Sequence, residues 1–99
     1  LRKADLTDAN LTGANLTKAS LMMANLTGAD LTGANLTGAG LTWVDLTDAN
    51  LTDANLIETI ANDDTKWPVG FDPVAAGVVS IDELIVRRQQ ESVRRQRRL

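Results

Sequence analysis

The stretch LTGADLTGANLTGAGLTWVD, residues 26–45, decides the fold. It holds four units of five residues, each opening on a leucine: Leu26, Leu31, Leu36 and Leu41. The phase extends both ways. Leu1, Leu6, Leu11, Leu16 and Leu21 precede the stretch, and Leu46, Leu51 and Leu56 follow it. The fourth position of each unit is Ala, except at Val44 and Thr59. The fifth is Asn or Asp, except at Ser20, Gly40 and Ile60. Twelve units therefore run from residue 1 to residue 60.

A period of five suits neither regular element. On an α-helix, five residues turn about 500°, so the leucines would spiral over every face. On a strand, odd spacing throws successive leucines to opposite sides. A coil that turns a corner every five residues buries all twelve. With four sides it takes twenty residues per coil and points Leu and Ala inward on each side. The leucines then stack in four columns: Leu1/Leu21/Leu41, Leu6/Leu26/Leu46, Leu11/Leu31/Leu51 and Leu16/Leu36/Leu56. Alternating bulky and small fillers pack a narrow interior without voids. Successive coils would pair as parallel strands about 4.8 Å apart. The third slot of each unit is the expected corner. Gly13, Gly28, Gly33, Gly38, Asp8, Asp48 and Asp53 hold it, residues that tolerate the positive φ a type II turn requires.

The A(D/N)LXX pattern over residues 1–60 resembles the pentapeptide-repeat family. That resemblance implies a right-handed quadrilateral parallel β-helix; with the twelve units and the segment after them, the expected fold class is an all-β solenoid of about three twenty-residue coils with a short α-helical C-terminal cap. The segment TKWPVGFDPVAAGV, residues 65–78, is similar to the tail that follows the repeats in small cyanobacterial, Nostoc-type members. Some members of the family mimic duplex DNA and bind DNA gyrase. Three coils reach only about 15 Å at one strand spacing per coil. The coil's charge is also small beside that of duplex DNA, so the gyrase reading stands second.

The chain divides into residues 1–60 (repeat), 61–80 (cap segment) and 81–99 (helix and basic tail). Thr59 and Ile60 break the Ala-Asn rule, which places the end of the coil there. The raw end of a solenoid must be covered. Ile60, Trp67 and Phe71 are the expected cap, with Ile57 and Val69 beside them. Asp72-Pro73 reads as the start of a short helix and Gly77 as its stop. Ser80-Ile81-Asp82-Glu83 reads as a capping box opening a second helix, which beyond Gln89 frays or needs a partner. At the other end Leu1 is already in phase and nothing covers it. Residues lost before Leu1, or an end-to-end homodimer through this uncapped coil, would do so.

The net charge of −3 conceals an asymmetry. Residues 1–60 carry seven acids against three bases, while Arg87, Arg88, Arg94, Arg95, Arg97 and Arg98 crowd the C-terminus. The arginines are read as complementing a helix dipole, with nucleic acid or an anionic membrane as the disfavoured partner. With no His and no Cys, nucleophilic triads and transition-metal sites are excluded. The repeat carboxylates lie on outward slots, unsuited to tuned acid–base work. Calcium between Asp5/Asp8 and Asp45/Asp48 would have to bridge two coils, about 10 Å, beyond its ligand distances. The Asn and Asp columns read as a hydrogen-bonded ladder between coils. The expectation is a protein without catalytic residues, cofactor or metal, and, without signal or membrane span, a cytoplasmic one.

Folding the period into twenty-residue coils also locates an oddity. Met22, Met23 and Trp43 fall on one outward face, where the other faces carry mostly Gly, Asp, Thr, Lys and Glu. A contiguous exposed apolar patch signals contact. The favoured occupant is the chain's own tail, through Ile81, Leu84 and Ile85; a protein partner or a second copy is the alternative. The function read from these features is that of a scaffold or interaction protein.

Overall fold

The fold is that of a computed structural model, which describes residues 1–97. Its basic step is a turn. In every unit the N–H of the fourth residue donates to the carbonyl of the leucine, at 2.9–3.2 Å. All twelve third-slot residues are left-handed, with φ between 57° and 71°. That combination is the condition of a type II turn. Lys3, Lys18, Met23, Trp43 and Glu58 occupy it as well as the Gly and Asp residues expected there.

The remaining backbone donors can be followed through one unit, Leu26 to Asp30. Leu26 N–H donates to Asp45 O at 2.8 Å, and Gly28 N–H to Thr47 O at 2.9 Å. Asp30 N–H donates the other way, to Ala9 O at 2.9 Å. Ala29 N–H closes the turn on Leu26 O at 3.0 Å. Thr27 N–H donates to the side-chain Oδ1 of Asn25 at 3.0 Å. All five donors are satisfied, as a backbone at a half-buried wall requires. The Asn/Asp slot is therefore a local device. Its Oδ1 accepts from the Thr two residues on, in its own coil, rather than forming the expected ladder between coils.

Parallel bridges join residues twenty apart, from Asp5↔Asn25 to Gly40↔Ile60. Corners come too often for longer strands, so each side contributes a single bridge. The stacking does not stop at Ile60 as the broken repeat suggested. Asp45 bridges Lys66, and Ile60–Ala61 (β1) pairs in parallel with Val79–Ser80 (β2). Residues 61–80 thus continue the stacking in irregular form. Trp67 and Phe71 stack with ring centroids 5.2 Å apart and pack on the core with Val78. Ala61, Thr65 and Val79 are buried, and Ile60 is half-buried. Val69 and Ile57, expected under the cap, are exposed. The buried hydroxyls of Thr59 and Thr65 donate to Leu36 O at 3.0 Å and Leu41 O at 2.7 Å. The helix expected after Asp72 is only a turn: Ala75 N–H donates to Asp72 Oδ1, and left-handed Gly77 ends it.

The core is the leucine stack. Leu16, Leu21, Leu26, Leu31, Leu36, Leu41, Leu46 and Leu56 are buried; Leu6, Leu11 and Leu51 are partly covered; Leu1 is 62% exposed. Each buried leucine contributes about 1.5–3 kcal/mol relative to an exposed one. Ile81–Arg97 form a helix, α1, whose N-terminus is capped by Ser80 Oγ accepting from Glu83 N–H at 3.1 Å. It continues well past Gln89, where fraying was expected. Acidic Asp82 and Glu83 in its first turn and arginines in its last complement the helix dipole. No residue of α1 is buried, and the molecule measures 53 × 24 × 23 Å. A helix of about 25 Å therefore projects from the capped end along the long axis.

Candidate functional site

One corner of the four departs from the rule each time the chain reaches it after the first coil. The residues preceding Leu21, Leu41 and Ala61 are Ser20, Gly40 and Ile60. None offers the Asx oxygen that anchors the other three corners. Two local consequences follow, at Met22 and Thr42, and the irregular segment after Ile60 adds a third change at Trp43. Met22 replaces the threonine whose hydroxyl would have needed that oxygen. Thr42 keeps its hydroxyl, which is buried without a hydrogen-bond partner. Trp43 N–H donates to Asn62 Oδ1 at 3.1 Å, the side chain taking the place of the usual carbonyl.

At this corner the third slot holds Met23 and Trp43, one coil apart. Met23 N–H donates to Thr42 O at 3.0 Å, which sets the two corners against each other. Met23 is 38% and Trp43 52% exposed, at φ 62° and 58°. Left-handed backbone disfavours bulky side chains, and glycine would occupy the slot without that penalty. Two large apolar residues are therefore held outward on a strained wall, a combination that clusters at functional surfaces. Met22 is half-buried beside them, and the Arg2 guanidinium lies 3.8 Å from its sulfur. Arg2 and Lys3 border the patch on one side, and the exposed Asp63 and Asp64 follow Asn62 on the other. An apolar centre within a charged rim is the general plan of a protein interface.

The expected docking helix is not on this face. No residue of α1 is buried and Met23 and Trp43 stay exposed, so the helix does not cover them, while Arg87 reaches Glu58 of the neighbouring unit at 3.7 Å. Ile81 and Ile85 are exposed and Leu84 is half-buried. The reason is chain direction: β2 delivers Ser80 to the end of the solenoid, and its capping bond launches the helix outward. Of the arginines, Arg87 also pairs with Glu83 at 3.2 Å. Arg88, Arg94, Arg95 and Arg97 lie exposed along α1, and Arg98 lies outside the described residues.

Three carboxylates depart from their ordinary pKa, all at the other corners. The hydroxyls of Thr7, Thr32 and Thr47, followed by the same residues' N–H groups, hold Asp5, Asp30 and Asp45 below the usual carboxylate range. These groups fasten turns. Among the described residues no cluster of three or more potential metal ligands occurs, and no helix is long and apolar enough to cross a membrane. Sequence reading located Met22, Met23 and Trp43 but missed Thr42 and Asn62. The signal available was Gly40, which leaves Thr42 without its acceptor.

Comparison with known proteins gives a consistent result. The family model "Pentapeptide repeats" matches in eight copies over residues 1–22 and 24–60. No curated protein matches. Among solved structures, a pentapeptide repeat protein of Nostoc PCC 7120 is similar at 31% identity and a TM-score of 0.62, over 80% of this chain and 82% of that one. The pentapeptide repeat protein Rfr23 of Cyanothece 51142 is similar at 37% identity and a TM-score of 0.65. That match covers 66% of this chain and 44% of the Cyanothece chain.

Proposed function

The chain belongs to the pentapeptide repeat family, whose members fold as right-handed β-helices, and from that premise we propose that it is a non-catalytic scaffold that binds a protein partner through the Met22/Met23/Trp43 face. The observation that carries this reading is the pair Met23 and Trp43, apolar, exposed and left-handed at one corner. Met and Trp are adaptable contact residues of high yield per area. The wall beneath them is a stack of hydrogen-bonded turns, so little ordering is required on binding. In the same reading, about three regular coils form the wall and residues 61–80 close it.

A photo-crosslinking residue placed at position 43 tests the proposal, with position 53, the same slot on another face, as control. Specific protein adducts at 43 and none at 53 support it. Equal labelling at both positions overturns it. A parallel supercoiling assay addresses the gyrase-binding alternative, which inhibition or protection of gyrase would favour.

A further inference from the structure

Helix α1 presents a face that is complementary to itself. Asp82, Val86, Gln89, Gln90, Val93 and Arg97 recur at helical spacing and line one stripe. Half-buried Leu84 and the Arg87 contact to Glu58 lie away from that stripe, toward the body. Val86 and Val93 are 48% and 45% exposed. A shallow groove lined by Val86, Gln89, Gln90, Val93, Arg94 and Arg97 runs along it.

The order of these residues is symmetric about the point between Gln89 and Gln90. The two valines are equidistant from it, and so are Asp82 and Arg97, which carry opposite charge. We propose that α1 pairs antiparallel with α1 of a second copy, about a two-fold axis through that point. Val86 then meets Val93 of the second copy, twice by symmetry. The glutamines meet at the centre, where their amides donate and accept in turn. Asp82 meets Arg97 of the second copy at each end. A heterologous partner would not require the equal spacing; a two-fold interface does. The helix is also directed away from its own body, which leaves room for a second molecule alongside. The apolar part of the stripe is two valines per copy, so the pairing is a weak one, sensitive to salt.

Sedimentation equilibrium of the full chain at low and high salt tests this. The expected result is a monomer–dimer equilibrium that shifts toward monomer as salt rises. Asp82→Arg or Arg97→Asp alone creates two like-charge contacts and weakens the dimer about tenfold or more. The double variant D82R/R97D restores it. The charge swap separates pairing from helix stability, because each substitution opposes the helix dipole and the double variant opposes it most. Restoration by the double variant therefore supports pairing. A monomer at every accessible concentration, a dimer indifferent to the single substitutions, or a double variant weaker than both singles overturns it.

Discussion

Asp30 Oδ1 accepts two hydrogen bonds from one residue: the Thr32 N–H at 3.0 Å and the Thr32 hydroxyl at 2.6 Å. Asp5 with Thr7 and Asp45 with Thr47 repeat the arrangement. These bonds favour the ionised carboxylate, so the folded pKa lies below the unfolded value of about 3.9. The stabilisation is present above the unfolded value and is lost as pH falls through the folded one. Melting temperature is expected to hold from neutral pH to about 5 and to decline below about 4. Asp30→Asn keeps the acceptor oxygen but does not titrate, so it should reduce the acid decline. A decline as steep as that of the unsubstituted chain would refute the assignment.

Thr42 and Thr59 are both buried, yet Thr→Val should act in opposite directions at the two. The Thr42 hydroxyl has no partner, so Thr42→Val removes a desolvation penalty and is expected to stabilise by about 1 kcal/mol. The Thr59 hydroxyl donates to Leu36 O, so Thr59→Val is expected to cost about 1 kcal/mol. Gly40→Asn offers a second check. Nothing lies within 4 Å of a Cβ there, and the new Oδ1 would serve Thr42. Chemical denaturation of the three variants reads all the signs.

Gly13 and Gly28 share a left-handed φ, at 68° and 71°, but not their surroundings. A Cβ on Gly13 meets nothing within 4 Å, whereas one on Gly28 runs into Asp8 Oδ1. Gly13→Ala should cost about 1 kcal/mol from backbone strain alone. Gly28→Ala should cost little more, because the exposed Asp8 carboxylate can rotate aside, and whatever excess it shows should vanish in an Asp8→Ala background. A double-mutant cycle measures that coupling directly.

The leucine stack is buried unevenly. Leu36, at 1% exposure, is expected to cost about 3–5 kcal/mol when replaced by Ala. Leu1, at 62%, should cost under about 0.5 kcal/mol. Equal losses at the two positions would mean that the first coil is covered in solution.

Much of this was legible in the sequence, because a period of five has one economical solution. Twelve phased leucines define the corners, and Met22, Met23 and Trp43 then fall together by arithmetic. Legibility failed where the repeat failed. Residues 61–80 keep the coil's path without its spelling: Ala61 still falls in the leucine slot, but Trp67 and Val79 fill inner positions out of phase with the repeat. The direction of α1 was equally hidden. Ser80 announces a helix start, but only the β1–β2 pairing fixes where that start lies. The Asx–Thr bonds were misread as a ladder because Asn in a column suggests its neighbours above and below, while the nearest donor is two residues along the chain.

The register of the bridges bears on how such a chain can change in length. Every bridge up to Gly40↔Ile60 spans twenty residues, and the next, Asp45↔Lys66, spans twenty-one. A whole-coil block duplicated ahead of Leu41 keeps all later residues in phase, while one added after Lys66 meets sides of unequal length. The end-piece is thus fixed, and growth is confined to the regular coils, in steps of about 4.8 Å. A duplication of residues 21–40 would carry Met22 and Met23 with it. In this chain, lengthening the wall and extending its apolar band are a single genetic event.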